Sequence, residues 1–393
     1  MVNFNYYTPT RVVFGRRTLD QTGELVKAQG ARKVFLHYGG GSVKRSGVLD
    51  RVKASLTAAG VDYTELGGVV PNPRLSLVRE GIELCRREGV DFLLPVGGGS
   101  VIDSAKAIGY GVADEGDVWD FYDFKRIPRA CLPIGVVLTI AAAGSEMSDS
   151  SVITNEDGWV KRGYSNDLCR PQFAVMDPEL TITLPAYQTA CGCTDVVMHT
   201  MERYFNAQAE PMALTDALAE GLMRTVIEAS RVLVREPENY GSRAEVMWAG
   251  SLSHNGLTGC GTGGGDWSCH KLEHELGGLF DVAHGAGLAA VWGSWARYVL
   301  DADPARFARF AEKVLEVEPG ADDTATALRG VEAMEAYYRT IGMPTNLREL
   351  GVEPTEAQIE EMAEKCAVTV HGRTGAVKTL GKADMAAIYR AAR

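Results

Sequence analysis

The sequence predicts two domains of different fold class, an α/β domain with a mostly parallel sheet followed by an all-helical domain. Before Pro185, short apolar β-branched runs alternate with amphipathic stretches, which is the pattern of strands covered by helices. After Pro185 the apolar residues recur with a helical period, and prolines stand near the starts of several segments. We therefore expect an α/β domain over residues 1–185 and an all-helical domain over residues 186–393.

Four apolar runs in the first half predict strands, and helical stretches over Val43–Ala59 and Ile102–Gly109 follow the first two of them. The strands are expected at Lys33–His37, Asp91–Val96, Leu132–Ile140 and Gln172–Met176. The second half predicts helices over Tyr187–Ala207, Ala213–Arg235, Ala244–Leu257, Trp267–Gly277, Ala286–Leu300, Pro304–Val317, Thr324–Ile341 and Glu356–Ala367. No low-complexity linker separates the halves, so we expect the two domains to form a cleft, where ligands tend to bind.

Composition and charge narrow the class of protein. The 393 residues carry 40 Lys and Arg against 51 Asp and Glu, a formal net charge of −11, which argues against a nucleic-acid or anionic-membrane partner. The N-terminus lacks a signal-peptide pattern, and the longest apolar run, Cys131–Ala143, is shorter than the roughly 18 residues of a membrane span. Without a secretory signal the eight cysteines are expected to be reduced thiols. These features predict a soluble, cytoplasmic protein.

A glycine-rich pentapeptide, Gly-Gly-Gly-Ser-Val, occurs at 39–43 and again at 97–101, each time between a predicted strand and a predicted helix. Consecutive glycines at such a point allow a phosphate to approach the backbone closely. Neither copy has the spacing of the Rossmann fingerprint, and a tight turn capped by serine explains each copy equally well. Ser100 and Asp103 also have the spacing of a helix capping box. Two such loops in one sheet nevertheless favour a dinucleotide whose phosphates touch both.

A third segment, Leu138–Glu146, ends the predicted strand Leu132–Ile140 in small and hydroxylated residues. Such a strand end could contact the same ligand, or it could simply be packed beneath a helix. The sequence leaves both interpretations open.

Histidine spacing carries the most specific chemical signal. Asp195 and His199 lie one helical turn apart, His270 and His274 repeat that spacing on another predicted helix, and His284 follows ten residues later. Each histidine alone could cap or pack a helix, but the set favours a metal site. Imidazoles and a carboxylate suit Fe(II), Zn(II), Mn(II) or Ni(II) without selecting among them.

The remaining cysteines and histidines show no comparable pattern. Cys191/Cys193 and Cys260/Cys269 lack the spacing of a four-thiolate zinc site and are expected to be core residues. We expect structural roles for His37, His254 and His371.

The combined motifs resemble the iron-containing (group III) alcohol dehydrogenases. The matching segments are Gly97–Lys106, Asp195–His199 and His270–Gly287, and the resemblance extends from Arg11 to the last helices. Tyr38–Lys44 and the pair Asp266-Trp267 are similar to the butanol dehydrogenase-like, NADPH-dependent aldehyde reductase branch. The resemblance implies an N-terminal dinucleotide-binding domain, a C-terminal helical domain, and a metal in the cleft between them.

Carried over to matching positions, the resemblance implies specific roles. The metal ligands would be Asp195, His199, His270 and His284, and His274 would be the non-ligand, catalytic histidine beside the nicotinamide. Cofactor contacts would come from Gly39, Gly40, Gly41 and Ser42 at the adenosine ribose and from Gly97, Gly98, Gly99 and Ser100 at the pyrophosphate. Asp103, Thr139, Lys161, Leu180 and Thr183 complete the expected cofactor site. The sequence departs from many relatives at Ala143, where they carry a second threonine.

The implied activity is reversible hydride transfer between NADP(H) and a small aliphatic aldehyde or primary alcohol, in a homodimeric enzyme. NADP(H) is the expected cofactor, with NAD(H) as the alternative, because residues 39–42 contain no carboxylate to repel a 2′-phosphate. Fe(II) is the expected metal. A dehydroquinate synthase-like lyase and a catalytically silent metal- and nucleotide-binding protein are the alternatives from other functional classes.

Overall fold

The computed structural model describes residues 1–206 and 210–393, which divide into two compact units. One unit is Tyr7–Leu184, and the other combines Met1–Tyr6 with Pro185–Arg393. Ala207, the last residue of the first helix expected in the second half, lies outside the described residues. All eight cysteines are free thiols.

The Tyr7–Leu184 unit is built on a six-stranded, fully parallel sheet with the strand order β1-β8-β5-β4-β2-β3. These strands are β1 (Arg11–Phe14), β2 (Lys33–Gly39), β3 (Asp62–Val69), β4 (Phe92–Gly97), β5 (Gly135–Leu138) and β8 (Phe173–Met176). The central strands β4, β5 and β8 are buried along their whole length. Continuous apolar runs suit such strands, because helices cover both faces of a parallel sheet.

The strand order contains a topological switch point. The chain passes from β2 outward to β3 and then returns to place β4 on the other side of β2. In open parallel sheets ligands bind at the carboxyl ends of the two strands that flank such a point. Here those two strands are the ones that end in the glycine-rich loops.

The sheet is flanked by helices and by a small antiparallel hairpin. The helices are α1 (Thr22–Ala28), α2 (Ser42–Arg45), α3 (Val48–Ala59), α4 (Leu75–Glu88), α5 (Gly99–Ala113) and α6 (Trp119–Tyr122), and the hairpin strands are β6 (Ser150–Asn155) and β7 (Val160–Ser165). The expected single helix over Val43–Ala59 is interrupted, because Gly47 adopts a left-handed conformation with φ of 74° between α2 and α3.

The capping box expected at Ser100 and Asp103 is wrong. Helix α5 begins at Gly99 and is capped by Gly98, so Ser100 is already inside the helix. The Asp103 carboxylate instead accepts hydrogen bonds from Ser145 Oγ at 2.6 Å and from the backbone N–H of Val152 at 2.9 Å. Tertiary partners therefore replace the local bond that the spacing suggested.

The second unit is helical, as expected. Its helices are α7 (Ala186–Tyr204), α8 (Ala213–Arg235), α9 (Tyr240–His254), α10 (Ser268–Phe280), α11 (His284–Val299), α12 (Pro304–Val314), α13 (Asp323–Thr340), α14 (Glu356–Thr369) and α15 (Lys382–Ala392). The N-terminal residues of the chain, Met1–Tyr6, also belong to this unit. The backbone N–H of Val2 donates to the Gly261 carbonyl at 3.2 Å. Across the described parts of the chain, no helix combines the length and apolar character needed to span a membrane.

The fully buried His37 shows how a polar side chain is accommodated in the sheet. Its Nδ1 lies 2.9 Å from the Leu66 carbonyl and its Nε2 lies 2.8 Å from Ser104 Oγ. Because a carbonyl can only accept, Nδ1 carries the proton and Nε2 accepts from the serine hydroxyl. Burial lowers the pKa of His37 to about 4, although the bond to Leu66 opposes this shift.

We predict that His37 makes the protein less stable as the pH falls from about 6.5 to about 4. In that range the unfolded chain binds a proton that the folded chain does not, and the pKa difference corresponds to about 3 kcal/mol. Chemical denaturation at pH 7 and pH 4.5 should show a smaller loss of stability in His37→Asn than in the wild type. Equal losses in the two proteins would contradict the assignment.

Candidate functional site

The expected metal ligands come together within the helical unit, beginning on α7. Asp195 and His199 are both buried, and His199 Nδ1 lies 3.4 Å from Asp195 Oδ1. One helical turn separates them, so the helix itself directs both side chains to one place.

Helices α10 and α11 bring two further imidazoles to the same oxygen. The Nε2 atoms of His270 and His284 lie 3.8 Å and 3.7 Å from Asp195 Oδ1. Glycine makes this approach possible at the start of α11, since a Cβ at Gly285 would lie 2.2 Å from the Cys191 carbonyl oxygen of α7. Three imidazole nitrogens from three helices therefore converge on one carboxylate oxygen.

Two buried glutamates that the sequence analysis missed hold two of these imidazoles. Glu202 Oε1 lies 2.9 Å from both His270 Nδ1 and the His270 backbone nitrogen, and Glu273 contacts His284 Nδ1. A carboxylate at Nδ1 favours the tautomer with the proton there, which turns an Nε2 lone pair towards Asp195. The bonding partners thus orient the rings for a further ligand.

The polar atoms at the centre of this cluster fit a divalent cation. Among the described residues, Asp195 Oδ1, His199 Nδ1 and His270 Nε2 are buried without a hydrogen-bond partner. A tetrahedral ion about 2.1 Å from its ligands separates them by about 3.4 Å, close to the observed distances. Nitrogen and carboxylate donors suit Fe(II), Zn(II), Mn(II) and Ni(II) alike.

The protonation of these groups also suits metal binding. Burial by itself would raise the pKa of Asp195, but His199, His284 and His270 lower it below the ordinary value. Burial lowers the pKa of His199 well below its usual range. Burial opposes protonation of His270 too, yet Asp195 and Glu202 outweigh it and raise its pKa. A proton on His270 therefore competes with a cation, and binding should strengthen as the pH rises.

His274 lies beside this cluster. Its ring centroid is 5.9 Å from that of His284 and 6.5 Å from that of His270. His254, which the sequence suggested to be merely structural, packs its ring 4.1 Å from His199. No sequence signal marks His254, because it comes from the end of α9 and has no partner at helical spacing.

The expected cofactor residues lie along one edge of the sheet in the other unit. Strands β2 and β4 are parallel neighbours, so the loops Gly39–Ser42 and Gly97–Ser100 leave the same edge. Thr139 follows the next strand, β5, and its backbone N–H donates to the Gly97 carbonyl at 3.0 Å. Leu180 and Thr183 follow β8, the next strand again, with Leu180 against the core and Thr183 exposed.

Lys161 is buried on β7, opposite Thr154 of β6. The backbone N–H of Thr154 donates to the Pro73 carbonyl in the segment that follows β3 at 2.8 Å. Lys161 therefore lies near the β3 end of the same sheet edge.

The second glycine loop is closely packed, whereas part of the first is open. A Cβ at Gly98 would lie 2.9 Å from Ile140 Cβ, and a Cβ at Gly99 would lie 2.8 Å from Ala143 Cβ. By contrast, a Cβ at Gly40 would meet nothing within 4 Å. Glycine is thus required at 98 and 99 by close approach, while a side chain can be added at 40.

Comparison with known proteins identifies the family. The model of the iron-containing alcohol dehydrogenases matches residues 9–178, and the model of the C-terminal region of the same family matches residues 189–393. The chain belongs to the iron-containing alcohol dehydrogenase family. It is therefore an oxidoreductase. This finding argues against both alternatives, the lyase and the catalytically silent binding protein.

Individual relatives match all or nearly all of the chain. It is 39% identical over 392 residues to a probable NADH-dependent butanol dehydrogenase of Bacillus subtilis, covering 100% of both chains. It is 36% identical over 357 residues to the NADPH-dependent aldehyde reductase of Escherichia coli, covering 90% of both. The crystal structure of an NADH-dependent butanol dehydrogenase from Thermotoga maritima matches with a TM-score of 0.95 and 38% identity, covering 99% of this chain and 98% of that one.

We predict that two histidines on α10 respond differently to substitution. His270→Ala should abolish stoichiometric metal binding because it removes a converging nitrogen, whereas His274→Ala should retain about one ion per chain. Elemental analysis after loading with Fe(II) or Zn(II) measures the metal content of each variant. The two variants are matched because both histidines are buried on the same helix. Equal loss of metal in the two variants would show that His274 is also a ligand.

We also predict that the buried Glu202 strengthens metal binding through His270. Glu202→Gln should weaken the affinity about 10–100-fold, the usual effect of losing a carboxylate behind a ligand histidine. Competition with a chelator measures the affinity. Glu220→Gln is the matched control, since Glu220 is buried in the same unit but bonds to Tyr204 and Arg309. An unchanged affinity in Glu202→Gln would contradict the role.

Proposed function

We propose that the protein catalyses reversible hydride transfer between a nicotinamide dinucleotide and a small aliphatic aldehyde or primary alcohol. The observation that carries this proposal is the convergence of His199, His270 and His284 on Asp195 Oδ1. In this proposal these four residues hold one divalent cation, with Fe(II) as the expected metal and Zn(II), Mn(II) or Ni(II) as alternatives. The names of the relatives support aldehydes and alcohols of butanal size as substrates.

When bound, the cation polarises a carbonyl oxygen and the nicotinamide supplies the hydride. The protein's own residues orient the imidazole rings and supply the proton. Glu202 and Glu273 accept from Nδ1 of His270 and His284, so that each Nε2 is left to bind the cation once its competing proton is displaced. His274 provides the proton that the product oxygen requires, directly or through a water or a ribose hydroxyl.

The glycine-rich edge of the α/β unit is the proposed cofactor site. Gly97–Ser100 would hold the pyrophosphate and Gly39–Ser42 the adenosine ribose, with Thr139, Lys161, Leu180 and Thr183 completing the contacts. Support comes from the position of both loops at the topological switch point, where nucleotides bind in sheets of this kind. The homodimer and the cytoplasmic location stay predictions from the sequence.

The basic test is an absorbance assay at 340 nm with metal-loaded protein, butanal and each reduced nicotinamide cofactor. We expect turnover that requires the added metal. Failure to oxidise either cofactor with any of a panel of aliphatic aldehydes would overturn the proposed function.

We propose that NADPH is preferred over NADH, because the 39–42 loop offers an anion site and no carboxylate. Arg45 Nη1 lies 3.2 Å from where a Cβ at Gly41 would be, and Lys44 Nζ lies 4.8 Å from the Tyr38 ring centroid. Both cations therefore flank the loop. The nearby Glu65 is bonded to Lys53 at 2.8 Å, which reduces its competition for them. Both preferences occur among the relatives, since the Bacillus subtilis protein is named as NADH-dependent and the Escherichia coli protein as NADPH-dependent.

We predict at least about ten-fold higher kcat/KM with NADPH than with NADH, since one charge-assisted hydrogen bond to a phosphate contributes about 1.5–3 kcal/mol. Gly40→Asp should shift the ratio towards NADH, because its carboxylate would repel a 2′-phosphate and has space to fit. Gly221→Asp, equally unobstructed but in the helical unit, controls for added charge. Equal or NADH-biased efficiency in the wild type would contradict the proposal.

A further inference from the structure

A fully buried lysine lies behind the second glycine loop. Lys106 of α5 has no exposed surface, and its Nζ donates to the carbonyls of Ser145 at 2.7 Å, Ser148 at 2.9 Å and Ser150 at 2.8 Å. An ammonium group has three N–H donors, so these three carbonyls use all of them. Lys106 therefore has no donor left for a phosphate.

Asp103, one turn earlier on α5, binds the same stretch of chain. Its two carboxylate oxygens accept from Ser145 Oγ and from the Val152 backbone N–H, and its own carbonyl accepts from Ser151 Oγ at 3.0 Å. Together Asp103 and Lys106 bind residues 145, 148, 150, 151 and 152 to one face of the helix. We call residues 139–152 the anchored segment.

The anchored segment has two parts with different surroundings. Residues 144–148 are buried, and two of them, Ser145 and Ser148, bond to Asp103 or Lys106. Residues 140–143 are partly exposed and lie against the glycine loop, close to where Cβ atoms at Gly98 and Gly99 would be. Fixing the buried part therefore fixes the exposed part beside the loop.

We propose that Asp103 and Lys106 are positioning residues, which hold residues 139–143 as the second wall of the nucleotide site without touching the cofactor. The inference rests on the proposed function, because it takes the Gly97–Ser100 loop as that site. It also replaces the expected direct cofactor contact of Asp103 with an indirect role.

The energetics favour a positioning role over a purely stabilising one. Burying an ammonium group is costly even when it is well hydrogen-bonded, and apolar replacements of buried charges are often as stable. The three carbonyls that bind one Nζ instead fix the anchored segment in a single position relative to α5. The three consecutive glycines it packs against, Gly97–Gly99, have no side chains to define the position of a ligand, so a fixed second wall reduces the cost of ordering the site on binding.

The test compares Lys106→Met and Ser145→Ala with Ser55→Ala as the control. Ser55 also makes two side-chain bonds in this unit, to the Gly23 N–H and the Asp20 carbonyl, but on α3 and not on the anchored segment. Cofactor affinity is measured by fluorescence titration with NADPH and NADH, KM and kcat by turnover, and mobility by hydrogen exchange of peptides covering 139–152.

We expect Lys106→Met to raise the cofactor KM and dissociation constant about 10–100-fold, the size of effect that small misplacements produce. The kcat at saturating cofactor and the metal content should change less than about two-fold, and exchange over 139–152 should accelerate. Ser145→Ala should shift the same quantities in the same direction by a smaller factor. Ser55→Ala should lower the melting temperature without changing the KM.

If both Lys106→Met and Ser145→Ala bind the cofactor as tightly as the wild type, the positioning role is overturned while the proposed function stays intact. If the wild type binds neither cofactor, the proposed function fails instead. A parallel rise of KM in Ser55→Ala would show that lost stability alone explains the effect, and would also overturn the inference. Should Lys106→Met not fold, Ser145→Ala decides by the same criteria.

Discussion

The helical unit depends on one oxygen atom, Asp195 Oδ1, where three imidazole nitrogens from three helices converge. Lone pairs facing lone pairs in a buried space are unfavourable unless a cation or a proton lies between them. Two further buried carboxylates, Glu202 and Glu273, keep the rings in place by binding their other nitrogens. The arrangement is therefore suited to a cation, and α11, which carries His284, packs against both α7 and α10.

Small residues have a matching role around that centre. The motif His284-Gly-x-Gly lets α11 approach α7 at Gly285, and a Cβ at Gly287 would lie 2.9 Å from Glu273 Cγ. One glycine thus brings the imidazole to the carboxylate, and the other leaves space for the glutamate that orients it. The glycines at 98 and 99 in the other unit follow the same logic, since they leave space for a neighbouring chain segment.

Sequence reasoning found the parts of this protein that depend on local spacing. Periodicity separated the α/β half from the helical half. Helical spacing paired Asp195 with His199 and His270 with His274, and the family resemblance then implied that Asp195, His199, His270 and His284 are the ligands. It missed the edge strands β1 and β3, because half-exposed residues and the two glycines of β3 weaken the apolar pattern. It also missed Glu202, whose partner His270 is 68 residues away, because a glutamate inside a helix resembles any solvated residue. Asp103 had the spacing of a cap, but tertiary partners outcompeted the local bond.

The path of the chain through the two units affects the order in which they can fold. The α/β unit is one uninterrupted stretch, Tyr7–Leu184, and can form as soon as that stretch leaves the ribosome. The helical unit is discontinuous, because it combines Met1–Tyr6 with Pro185–Arg393. Val2 can form its hydrogen bond to Gly261 only after that residue, which is synthesised much later, has left the ribosome. Closing so long a loop costs less entropy once the intervening chain is already compact. Vectorial synthesis thus favours completion of the α/β unit before the three imidazoles are brought together at Asp195.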